Sequence, residues 1–164
     1  MTPNPLAPLL VLLHSALLPP PVFPSPGAWQ WPLEAPVGVI RPFAPPPSPW
    51  LPGHRGVDLA AQPGQQVFAT GPGTVTFARD LAGRGVITVT HGLLRTTYQP
   101  VHALIRRGAR ATPGTLLGTM EPDYTHCPQT LCLHWGLRRG PTYLDPLSLV
   151  APPLIRLLPH WPRS

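Results

Sequence analysis

Apolar and polar positions alternate through the middle of the chain with the period of two that a half-buried strand requires. Val67, Ala69 and Gly71 interleave with their neighbours until Gly71-Pro72-Gly73 breaks the run, and the alternation resumes over Thr74-Val75-Thr76-Phe77-Ala78. Val86-Ile87-Thr88-Val89-Thr90 is a β-branched strand bounded by Gly83-Arg84-Gly85 and by His91-Gly92, where His91 reads as a turn residue. Leu94-Arg95-Thr96-Thr97-Tyr98 follows as its hairpin partner. No window offers an amphipathic helix of three turns. Short strands at close spacing predict an all-β fold, an antiparallel sheet, sandwich or barrel-like domain. Pro63-Gly64-Gln65-Gln66-Val67 echoes Pro113-Gly114-Thr115-Leu116-Leu117, each opening a strand after a tight turn, as in a duplicated hairpin.

Composition sharpens the boundaries. A chain of 164 residues suits one domain with a modest core. Its 28 prolines crowd into residues 1–53 and 151–164, which marks extended, Pro-rich tails. The globular domain is therefore expected within residues 29–150, with a C-terminal tail over 151–164. Residues 1–28 read as a leader: the apolar run from Leu9 to Leu18 falls short of the ~20 residues that span a bilayer, and Ala28 offers a small residue before a cleavage point at Trp29. The leader is atypical, because no Arg or Lys precedes the run and His14 lies inside it. It predicts a secreted protein of the extracellular cell envelope.

The charge of +6 comes entirely from arginine, since the chain contains no lysine. Such a surface favours anionic partners. The arginines are scattered apart from Arg106-Arg107 and Arg138-Arg139, without a basic stripe interleaved with aromatics, so nucleic acid is not an expected partner. Cys127 and Cys132 are the only cysteines. In an exported chain such a pair closes a small loop as a disulfide, whereas in a reducing compartment both would be free thiols.

His54 and Asp58 stand four residues apart beside glycines, and His134 lies in the strand-like run Leu133-His134-Trp135-Gly136-Leu137. Two neutral histidines and a carboxylate form a known ligand set for catalytic zinc, with a fourth position left for water. Spacing alone leaves the alternative of a hydrogen-bonded core histidine at position 134 open. A second set, His126, Cys127, Cys132 and His134, would close a structural zinc site but leave the His54 segment without a role.

The wider text adds to this. Gly53-His54-Arg55-Gly56-Val57-Asp58-Leu59, then Val67-Phe68-Ala69-Thr70-Gly71-Pro72-Gly73-Thr74-Val75, and then Leu133-His134-Trp135-Gly136 together resemble the lysostaphin-type zinc endopeptidases of bacterial cell walls. The resemblance runs from about Trp31 to Leu149 and includes the Gly114-to-Gly118 turn and the Tyr143-Leu144-Asp145-Pro146 close. It implies a β-sheet domain with a groove over the metal, His54, Asp58 and His134 as zinc ligands, and peptidoglycan cross-links as the substrate.

Two positions depart from that pattern. The family's His-x-His reads Cys132-Leu133-His134, and its Tyr-x-His reads Tyr98-Gln99-Pro100, so both histidines that assist the attacking water and the oxyanion are replaced. General acid–base assistance contributes typically ~10²–10⁴-fold, and oxyanion stabilisation is of similar size. His102, two residues beyond Pro100, would share its face in a regular strand and is the candidate catalytic substitute. His126 adjoins Cys127, and a disulfide loop would carry it toward the metal. Two readings follow: a secreted zinc metallopeptidase-like protein acting on peptidoglycan with altered catalytic residues, or a non-catalytic zinc- or wall-binding regulator of a partner cell-wall hydrolase.

Overall fold

The computed structural model describes residues 29–48, 50–122, 126–127 and 130–151. The expected leader over 1–28 and all of the tail beyond Ala151 lie outside them. Among the described residues eleven strands follow one another: β1 (Val39–Arg41), β2 (Gly56–Ala60), β3 (Gln66–Phe68), β4 (Gly73–Leu81), β5 (Arg84–His91), β6 (Leu94–Gln99), β7 (Val101–Ala103), β8 (Arg110–Ala111), β9 (Leu116–Met120), β10 (Cys132–Arg139) and β11 (Thr142–Leu144). Among the described residues the only helix is α1 (Leu147–Val150), too short to cross a membrane. The chain is all-β and antiparallel.

The β-branched run forms the middle of the larger sheet. β4, β5 and β6 pair in sequence, and the β4–β5 turn places Ala82 and Gly83 at φ of 53° and 78°, the positive values that a tight two-residue hairpin demands. The larger sheet runs β1-β2-β10-β6-β5-β4-β8, with β11 on β10. β10 thus lies between β2 and β6, far from either in sequence. The smaller sheet runs β3-β9-β7. The two Pro-Gly turns that echo one another open β3 and β9, which pair directly, Val67 opposite Gly118.

Side chains alternate across the strands and so divide the larger sheet into two faces. Val57 and Leu59 of β2, Tyr98 of β6, and Leu133 and Trp135 of β10 are fully buried in one core cluster, together with Val67 and Leu117 of the smaller sheet. Fully burying one such side chain contributes about 1.5–3 kcal/mol. Asp58, Gln99, Cys132 and His134 occupy the alternate positions and so face away from that core.

His91 departs from the turn expected of it. It is the last residue of β5, and it is buried. Its Nδ1–H donates to Pro72 O at 2.7 Å, and its Nε2 is hydrogen-bonded to Thr96 Oγ1 at 2.8 Å. Thr96 Oγ1 lies 2.9 Å from the Tyr98 hydroxyl, which in turn bonds Thr70. Burial pushes the imidazole below its ordinary value of 6.5, and the Pro72 carbonyl opposes that shift.

Candidate metal centre

Register brings the residues together. β2 and β10 pair so that His134 stands directly opposite Asp58, and His134 also stands opposite Gln99 of β6. His54 arrives from the segment before β2, pinned by its backbone bridge to Ala44. Gly56 provides the space: a Cβ there would lie 2.7 Å from His134 Nε2 and 2.5 Å from Trp135 O. A glycine at this point lets the His134 ring lie against β2.

Asp58 is fully buried, and three imidazole nitrogens meet one of its oxygens. His54 Nε2, His126 Nε2 and His134 Nδ1 stand 3.0, 2.9 and 2.8 Å from Asp58 Oδ1. His54 Nε2 and His134 Nδ1 are 3.2 Å apart. Burial pushes the Asp58 carboxyl up, but the hydrogen bonds and charge of His134 and His126 outweigh it and hold the group at about 2, below its ordinary 3.8.

The tautomer of His54 follows from its other contact. Its Nδ1 is 2.7 Å from the Pro42 carbonyl, which can only accept, so Nδ1 carries the proton and a neutral ring turns the Nε2 lone pair inward. That lone pair faces a carboxylate oxygen and further imidazole nitrogens. Two acceptors, the His54 lone pair and the Asp58 oxygen, facing one another at 3.0 Å suit a cation between them, which would take the place of the protons that His126 and His134 share with Asp58. A backbone carbonyl fixing the outer nitrogen is the usual support of a metal-bound histidine. Asp58 Oδ2, buried and without a hydrogen-bond partner among the described residues, is a further donor for the same ion. The residues present therefore fit a metal.

His54, Asp58 and His134 are thus brought together, and His126 joins them. Their ligand atoms all lie within 4.8 Å of one another. His102 is not brought to the site. The chain bends at Pro100 and passes into the smaller sheet, where His102 pairs with Thr119 and is exposed. The regular strand that its candidacy required ends at Gln99. Cys127 and Cys132 form a disulfide, so neither offers a thiolate to the set that would have joined them with His126 and His134.

A cleft of about 510 Å³ opens over this centre, lined by His54, His126, His134 and Gln99 and by Arg55, Arg84 and Arg138. Arg84 Nε donates to Gln99 Oε1 at 3.1 Å. The guanidinium groups of Arg55 and Arg138 lie 5.7 and 5.5 Å from the Tyr143 ring centre, which holds both at the mouth by cation–π attraction. In the sequence Tyr143 stands out only as part of a closing motif, and Arg138 only as half of an arginine pair. The signal available was the period of two along β10, which puts Arg138 on the same face as His134.

Residues 52–146 match the family model described as peptidase family M23. An uncharacterized protein of Mycobacterium tuberculosis is 43% identical over 156 residues, covering 92% of this chain and 63% of its own length. The chain thus spans less than two thirds of that relative. Among solved structures, a zinc-containing peptidase from Vibrio cholerae aligns with a TM-score of 0.59 at 20% identity, over 71% of this chain and 38% of that one. The solution structure of lysostaphin aligns with a TM-score of 0.55 at 21% identity, over 68% and 49%. Both share the fold.

Proposed function

This chain belongs to peptidase family M23, and from that premise we propose that it is a zinc-dependent binder of peptidoglycan peptides whose hydrolytic turnover is crippled. One observation carries the reading. Three imidazole nitrogens and a buried carboxylate converge at the floor of an arginine-lined cleft, while the positions of the family's helper histidines hold other chemistry.

His54, Asp58 and His134 would hold the ion. Zinc, when bound, acidifies a coordinated water to a pKa of about 7 and polarises a carbonyl. The rest depends on this chain's own side chains. The Gln99 amide has no titrating base, Pro100 has no polar side chain, and the Cys132 sulfur is tied to Cys127. None of the three takes a proton from water. Losing one general base costs ~10²–10⁴-fold, and losing an oxyanion donor costs ~10²–10³-fold. Binding survives these losses, because it draws on the positive cleft, whose floor the ion would hold together. Arg55, Arg84 and Arg138 suit the carboxylates of wall peptides or another anionic cell-wall polymer. The disulfide is in keeping with export to an oxidising cell envelope.

Titration of the purified chain with soluble cross-linked wall peptides tests this. The expected result is binding that a chelator abolishes and zinc restores, with new amine ends released more than about 10²-fold more slowly than by a family member carrying both helper histidines. Binding indifferent to chelator, or cleavage at the rate of that family member, would overturn the proposal.

A further inference from the structure

We infer that His126 is a fourth protein ligand of the metal and that the Cys127–Cys132 disulfide exists to hold it there, so that the centre rests closed. The inference builds on the zinc reading above. Its starting point is distance. His126 Nε2 stands 2.9 Å from the same carboxylate oxygen that His54 and His134 approach at 3.0 and 2.8 Å. Ligand atoms around a tetrahedral ion with bonds of ~2.0–2.1 Å are separated by roughly 3.3 Å. His126 therefore meets the ligand group at the spacing of a member, closer than a residue acting through an intervening water.

The tether explains why a loop histidine holds this place. Cys132 and His134 lie two apart on β10 and so share a face, the one turned to the metal group. Cys132 reaches back to Cys127, the residue next to His126, with a Cα–Cα distance of 6.2 Å. His126 Nε2 is itself 3.9 Å from Cys132 Sγ. The ring of His126 packs edge-on against that of His134, with centres 5.6 Å apart. Position 132 thus does not supply an imidazole; it anchors one from the neighbouring loop. Zinc sites with four protein ligands are closed and structural, whereas catalytic sites keep one position open. His126 remains one-third exposed, against full burial of Asp58, so it is the ligand on the solvent side and the one whose departure would open the centre.

Cobalt(II) in place of zinc reports coordination directly, and competition with a chromophoric chelator reports zinc affinity. In the full-length oxidised protein, azide should leave the cobalt spectrum unchanged, because no position is free. In His126→Ala the protein should keep one metal per chain, bind zinc more weakly by at least the ~10–100-fold that loss of an outer-shell partner costs, and show an azide-dependent spectral shift. The Cys127→Ser/Cys132→Ser double variant, which keeps His126 but frees its loop, should fall between the two. Unchanged affinity in His126→Ala, with azide shifting the wild-type spectrum as strongly as the variant's, would overturn the inference and leave the zinc site standing. Absence of metal from the wild type would overturn both.

Discussion

At the scale of single residues, position relative to the sheet decides what each histidine does. His54, His126 and His134 gather on Asp58, His91 is buried in a hydrogen-bonded chain that runs to Tyr98 of the core, and His102 is exposed on the smaller sheet. The sequence distinguished some of these and not others. His54 and Asp58 were legible from a motif, but His91 next to a glycine resembled a turn because its partners, Pro72 and Thr96, are supplied by the fold. Its burial has a measurable consequence. A histidine whose folded pKa lies below 6.5 binds more protons unfolded than folded, so its contribution is complete above that value and is lost as pH falls below it. Metal-free protein should melt at a lower temperature at pH 5.5 than at pH 8, and His91→Gln should flatten that slope. An equal slope in the variant would assign the dependence to other groups.

Elements carry the site by pairing across long stretches of chain. Strands β4, β5 and β6 were readable because their contacts are local: alternation and turn residues specify consecutive hairpins. The insertion of β10 between β2 and β6 was not, since no local signal gives the partner of a strand so distant in sequence. The same limit explains His102. Its assignment assumed one strand through Pro100, whereas the chain changes sheets there. The β2–β10 contact is also where the site is most sensitive to shape. Adding a methyl at Gly56 would meet both the Trp135 backbone and the His134 ring. Gly56→Ala should cost about 1–3 kcal/mol of stability and weaken zinc binding together. A chemical denaturation curve beside a chelator titration checks this, and a variant with unchanged values in both would contradict the packing described.

For the molecule as a whole, the metal centre would add a crosslink between segments that strand pairing and the disulfide already bring side by side. His54 precedes β2, Asp58 lies on it, His134 lies on β10 and His126 on the preceding loop, so one ion would crosslink them. Zinc at 100 times its dissociation constant adds about 3 kcal/mol to the folded state. For a domain of this size chelation should lower the melting temperature by on the order of 10 °C. A shift within the scatter of repeat scans would mean that no ion is bound there. The all-β class and the three convergent ligands were legible because a string of motifs occurs in one order. The approach of His126 was legible too, from its place beside Cys127, although its 2.9 Å contact with Asp58 was not. The lining of the cleft by arginines was not legible, since it depends on the assembled sheet.

The proposed chemistry of the cleft depends most on the identity of the metal ligands. Metal analysis of the purified chain after dialysis against zinc, run beside His134→Ala, tests them directly. The wild type should hold one zinc per chain, and His134→Ala should lose it at concentrations that saturate the wild type. A wild type without zinc, or a variant that retains it with equal affinity, would contradict the centre described.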